Sequence, residues 1–139
     1  GLKLVSRNGK ILRNIIDRID FGHLPLIAGK GAVAALVEAQ SILVYANPIL
    51  DRLRGLVRVG QRRWNLILLD GQTIALPENG PELALSQAIV LGQAQNLFKR
   101  DVSVIDFRNP GRPTLRIRPI ALRNMKKSKI ATFLEDQNE

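Results

Sequence analysis

Gly29-Lys30-Gly31 followed by Ala34 forms a G-x-G-x-x-A pattern between the apolar run Leu24-Pro25-Leu26-Ile27 and a stretch of helical spacing, and Asp51 stands twenty residues beyond Gly31. In a dinucleotide site such glycines let the backbone approach a pyrophosphate at a helix N-terminus, while an acid ending a second parallel strand holds the ribose. Here Asp51 follows the helix-stopping Asn47-Pro48 inside a helical pattern, and the Gly-Lys-Ser/Thr ending of a phosphate loop is missing. A structural turn is the favoured reading, and no cofactor is expected. His23 is the one imidazole, with no acids around it at metal-ligand spacing, so it reads as a turn residue between Phe21 and Pro25 and no metal is expected. Asp17 with Asp20, and Asp101 with Asp106, have the composition of an acid–base pair, but such carboxylates are more commonly solvated or ion-paired. There is no cysteine, which excludes disulfide scaffolds, thiolate zinc sites and cysteine nucleophiles. These residues give no ground for an enzyme.

Charge is more informative. The chain carries a net +9, and Lys99 to Lys129 holds ten basic residues against only Asp101 and Asp106, so one region supplies nearly all of the excess. A localised positive face follows, suited to an anionic partner. Nucleic acid would meet it through phosphates, but single-strand readers add aromatic platforms, and Phe107 is the only aromatic there before Phe133. A basic strand that meets an acidic protein segment, or one that lies near an anionic membrane, fits equally well on charge alone; a basic nucleic-acid-binding domain is kept as the alternative reading, with no nucleic acid expected as partner.

The elements that must position these residues can be read from periodicity. Leu2, Leu4, Ile11 and Leu12 flank Asn8-Gly9, a hairpin signal. Ala35, Leu36, Ala39, Ile42 and Leu43 predict a helix over 32–45, followed by a shorter one from about Pro48 to Leu53. From Leu56 the period becomes two, with Trp64, Leu66 and Leu68 on one face and Asn65, Ile67 and Leu69 on the other. Asp70-Gly71 reads as a two-residue turn to a strand over 72–76. Gly80-Pro81-Glu82 starts a helix to about Phe98, with Ala84, Ala88, Leu91, Ala94 and Phe98 inward. Two more strands follow, 102–107 and 114–118. In the last, Leu115 and Ile117 are expected to face the core and Thr114, Arg116 and Arg118 to face water. Its alternating arginines suggest a sheet edge, where charge commonly serves to prevent pairing and the functional alternative is strand addition by a specific acidic partner. The sum is an α+β fold, a largely antiparallel sheet with helices on one face and no alternation of strand and helix as βαβ units.

At 139 residues, 45% hydrophobic and 4% aromatic, the composition suits one domain, placed at 1–119, with a flexible tail at 120–139. The longest apolar stretch, 24–50, is broken by Lys30, Glu38, Gln40, Asn47 and Pro48, so no bilayer-spanning run of about 20 residues is present. The chain opens on Gly1 without a signal-peptide pattern and reads as a piece of something longer.

Several segments taken in order resemble a known family: Leu24 to Ala32, Val57-Arg58-Val59-Gly60-Gln61-Arg62-Arg63-Trp64-Asn65-Leu66, Asp70-Gly71 with Ile74 to Pro77, and Arg100-Asp101 with Val104-Ile105-Asp106-Phe107-Arg108 and Leu115-Arg116-Ile117. Together they look like the extracytoplasmic β domain of the bacterial cell division proteins FtsQ/DivIB, in their alphaproteobacterial form, over about Leu2 to Pro119. The resemblance implies a non-enzymatic scaffold of the septum-forming divisome. It would be anchored by a single membrane helix and carry a POTRA domain, both outside this chain, at the periplasmic face of the inner membrane. It implies binding of FtsB and FtsL, with an FtsB segment adding as a strand to Thr114, Leu115, Arg116, Ile117 and Arg118. Arg108, closing the V-D-L-R motif, would pair with an acid, and Arg62 would make a second such contact. No homo-oligomer is expected. The motif's leucine is Phe107 here, and Pro110 and Pro113 remove backbone donors before Thr114, so pairing is expected to begin there.

Overall fold

The structure is a computed structural model that describes residues 24–118 together with the strands β1 (Leu2–Val5) and β2 (Ile11–Ile15). These two strands pair antiparallel, as the hairpin reading expects, while the turn residues Asn8 and Gly9 and the tail placed at 120–139 lie outside the described residues. The main sheet has six strands in the order β3 (Leu26–Ala28), β4 (Leu53–Val59), β5 (Arg63–Leu68), β6 (Thr73–Ala75), β7 (Val102–Asp106) and β8 (Thr114–Ile117).

Helix α1 (Leu36–Tyr45) lies between β3 and β4 in sequence, and α2 (Pro81–Ala94) between β6 and β7. Both strand pairs they join are parallel neighbours, and the other three pairings are antiparallel. The sheet is thus mixed, and two βαβ crossovers are present where the sequence reading expected none. The reason is physical: a parallel pair needs a long connection, and each helix supplies it while covering the sheet. Three-residue β3 and β6 carry too little periodicity to announce their direction.

Period-two alternation sets the faces. The register aligns Ile27, Leu56, Leu66, Ile74, Ile105 and Leu115 in one row running from edge to edge. Its four central members are fully buried, with Trp64 and Leu68 beside them, against Ala39 and Ile42 of α1 and Ala84, Leu85, Ala88 and Ile89 of α2. The next rows on the opposite face are mixed, for example Val57, Asn65, Ala75, Asp106 and Thr114. Asn47-Pro48 ends α1 as expected, and a 3-10 segment, Asn47–Arg52, follows.

Three local expectations are corrected. Helix α2 stops at Ala94, not Phe98, because Asn96 takes a left-handed φ of 58° that no helix can continue through. Its inner face is accordingly Ala84, Leu85, Ala88, Ile89 and Gly92, while Ala94 is exposed and Phe98 reaches the core from a separate 3-10 turn. The β5–β6 connection is a three-residue loop: Leu68 N–H donates to Gln72 O (2.8 Å) and Gly71 N–H to Leu68 O (2.9 Å), with Gly71 at φ 94°. Leu115 and Ile117 are 44% and 54% exposed instead of buried, since the helices do not reach over the last strand.

Candidate functional site

The G-x-G-x-x-A pattern does sit between a strand and a helix, yet it is a packing device. A Cβ on Gly29 would come within 2.5 Å of the Arg58 carbonyl oxygen, and one on Gly31 within 3.1 Å of the Gln61 side chain. The β4 backbone at Arg58 and the Gln61 side chain in the β4–β5 connection thus pack directly against the two glycines. Asp51 precedes β4 instead of ending it, so the second element of a dinucleotide site is also missing. Among the described residues no group of His, Cys, Asp and Glu could hold a metal ion. Asp101 and Asp106 flank β7 at opposite ends, roughly 16 Å apart along an extended strand, and cannot share a proton. His23, Asp17 and Asp20 lie outside the described residues.

What the fold does assemble is an edge. Among the described residues β8 has a single neighbour, β7, and all four of its residues are exposed. Asn109-Pro110-Gly111-Arg112 turns the chain into it, closed by Arg112 N–H to Asn109 O at 2.9 Å, with proline at the position its fixed φ suits. The β7–β8 ladder begins at Thr114 opposite Asp106, one residue after Pro113, which has no N–H to donate. Ser103 is the extra residue of a bulge in β7, and its hydroxyl donates to Arg116 O at 3.2 Å, fastening the edge strand to its neighbour.

The two sides of β8 differ. Leu115 and Ile117 stand opposite Ile105 and Val102 and so share the core face, forming an apolar lip beyond the reach of the helices. Thr114 and Arg116 stand opposite Asp106 and Val104 on the other face. There Arg108 lies side-on to Asp106: Nε donates at 3.0 and 3.1 Å and Nη2 at 2.7 Å, while the Arg108 backbone N–H donates to the same carboxylate at 3.0 Å. These bonds hold the Asp106 carboxyl below the ordinary aspartate range and raise Arg108 above the usual arginine value. Arg108 remains half exposed, with Nη1 outside the pair.

Arg63 joins this group, and sequence reasoning missed it. It lies on the face of β5 opposite Trp64, donates through Nη1 to Asn65 Oδ1 at 2.7 Å, and is lowered from the usual arginine value by burial and then by the nearby Arg108 charge. Alternation around Trp64 already placed Arg63 and Asn65 on one face. That only the small Ala75 separates Asn65 from Asp106 is set by the strand order. Two guanidiniums and one carboxylate leave a local excess of positive charge beside the edge. Arg62, the residue singled out from sequence, is exposed in the turn before β5. Arg118 is turned away toward Asp70 (3.7 Å), its N–H bonded to Asp101 O at 3.1 Å. Phe107 is buried in the core and offers no stacking surface.

Residues 1–108 match the family described as cell division protein FtsQ/DivIB, C-terminal. The chain is 45% identical over 121 residues to a cell division protein FtsQ of Dinoroseobacter shibae, covering 87% of this chain and 41% of that protein. It is 42% identical over 128 residues to the FtsQ of Cereibacter sphaeroides, covering 92% and 42%, and 38% identical over 116 residues to that of Bartonella bacilliformis, covering 83% and 36%. The chain spans about two fifths of the length of these curated relatives. Among the described residues no helix is long and apolar enough to cross a membrane. Sequence, relatives and the mixed α+β sheet agree that this chain belongs to the FtsQ/DivIB family of cell division proteins, matching its C-terminal region.

Proposed function

We propose that this domain is a non-catalytic docking module of the divisome that accepts an acidic, extended segment of FtsB, in complex with FtsL, as a further strand beside β8. The observation that carries the reading is the outer edge of β8, which no strand among the described residues covers and which offers a row of main-chain donors and acceptors. Main-chain bonds supply affinity and alternating side chains supply selectivity. A strand added here places every second side chain over Leu115 and Ile117 and the others beside Arg116, Thr114 and Arg108. The fitting segment therefore alternates apolar residues with polar ones that include a carboxylate. Arg108 is held in place by Asp106 and offers Nη1 to that carboxylate, with Arg63 adding field. Residues 1–119 act as the docking unit. The full-length protein works at the periplasmic face of the inner membrane at the septum, anchored by a segment outside this chain.

The test is titration of the 139-residue chain with soluble FtsB–FtsL while following backbone amide resonances, with a random DNA duplex as control. Selective shifts over Arg108 and 114–118, lost in Arg108→Glu with the fold intact, are expected. Shifts with DNA alone, or undiminished affinity in Arg108→Glu, would overturn the reading.

A further inference from the structure

At the opposite end of β7 from the Asp106–Arg108 pair, the β5–β6 loop borders a half-open cavity of about 140 Å³ lined by Arg52, Leu68, Leu69, Asp70, Gln72 and Phe98. Gln72 is 1% exposed, and its Nε2 donates to Leu97 O at 3.0 Å and to Arg100 O at 3.1 Å. Exchanging the two ends of the amide would set its oxygen against two carbonyls, so its orientation is fixed. With the nitrogen turned to the 97–100 main chain, Oε1 is the group Gln72 offers the cavity, buried and accepting from nothing among the described residues. Arg52 supplies the complement. Its guanidinium lies over the Phe98 ring, 5.2 Å from the centroid, and its buried Nε has no acceptor among the described residues. Asp70 is already engaged, Oδ1 with the Gln72 backbone N–H at 3.0 Å and Oδ2 with Arg118 at 3.7 Å.

We infer that this cavity is a binding site for a phenolic hydroxyl on a benzene-sized ring, carried by a free small molecule or by a tyrosine side chain. A buried acceptor and a buried donor each cost stability until they are paired. One hydroxyl pairs both, donating to Gln72 Oε1 and accepting from Arg52 Nε. A carboxylate would satisfy Arg52 alone and face the Gln72 oxygen and Asp70, and an ammonium would satisfy Gln72 alone and face Arg52. A water molecule has the right donors and acceptors but fills only about 30 Å³, whereas a cavity of about 150 Å³ accepts benzene. The ring would lie against Leu68, Leu69 and Phe98 and enter past Leu69 and Asp70, which are exposed. For a ligand of about eight non-hydrogen atoms the dissociation constant falls on the order of 1 mM. The site uses none of the residues of the β8 edge, so it stands or falls apart from the docking reading.

The test titrates p-cresol, toluene and 4-methylbenzoate, which share a ring and a methyl group, separately into the 139-residue chain while backbone amide resonances are followed. p-Cresol should shift the amides of 68–72 and 97–100 and bind at least tenfold more tightly than either of the others. Arg52→Met, checked for an unchanged circular dichroism spectrum, should weaken p-cresol about fivefold or more and leave toluene unchanged. The three-ligand comparison uses the parent chain and decides the matter even where that variant fails to fold. N-acetyltyrosinamide separates the two sources: shifts at the same amides show a site open to a tyrosine of another protein, and their absence beside p-cresol binding shows a site for free phenols. No localised shift with p-cresol up to about 20 mM would mean that water alone fills the cavity and would overturn the inference. So would equal binding of toluene or 4-methylbenzoate, or an unchanged p-cresol affinity in Arg52→Met.

Discussion

At Trp64, burial creates a demand that one carboxylate meets. The indole is almost fully buried, its N–H donates to Glu38 Oε1 at 2.7 Å, and the same oxygen accepts Arg58 Nη1 at 2.6 Å while the Arg58 guanidinium lies 5.0 Å from the ring. Glu38→Ala strands the indole N–H and should cost roughly 1–3 kcal/mol in chemical unfolding, whereas Glu38→Gln should lose less because its amide oxygen still accepts. The Asp106–Arg108 pair makes a prediction in pH. Its partner lowers the folded-state pKa of Asp106, so the pair stabilises the fold above the unfolded value of about 3.9, and that contribution fades as pH falls below it. Asp106→Asn should therefore be less stable than the parent chain at neutral pH, with the gap closing in acid. The neutral amide of that variant also holds Arg108 less firmly, so weaker FtsB–FtsL binding is expected with it.

The cross-sheet row shows how position in an element outweighs residue type. Ile105 and Leu115 are direct neighbours on the same face, one fully buried and the other 44% exposed. Ile105→Ala should cost about 2–5 kcal/mol, as cavity-forming core truncations do, and Leu115→Ala about 1 kcal/mol or less. In FtsB–FtsL binding the order should reverse, Leu115→Ala weakening it at unchanged fold. An equal stability loss at both sites, read from paired urea curves, would show that the lip is covered in solution. The bulge at Ser103 and the Pro110 turn act on the same element, fixing where β8 can begin and which edge it offers.

At the scale of the whole molecule, the β8 edge carries Arg108, Arg112 and Arg116 beside it, whereas 31–50 and 79–98, which hold both helices, contain no lysine or arginine. The edge should steer an acidic partner from a distance, and its association rate should fall about tenfold between roughly 0.05 and 0.5 M salt with little change in dissociation rate. Stopped-flow mixing separates the two.

Much of this protein is legible in neighbouring residues. Period two around Trp64, Leu66 and Leu68 marks the inward face of β5, helical spacing locates α1 and the start of α2, and missing cysteines with a broken G-x-G-x-x-A pattern argue against familiar catalytic sites. Those are local properties. Alternation also tells which side chains of 114–118 share a face, but not that the helices stop short of that face, and so Leu115 and Ile117 read as core. The parallel β3–β4 and β6–β7 pairs, the free edge of β8, and the approach of Arg63 to Asp106 and Arg108 arise only in the folded chain. Each depends on which distant strand lies alongside which, and that choice is made by the burial of the whole sheet beneath two helices.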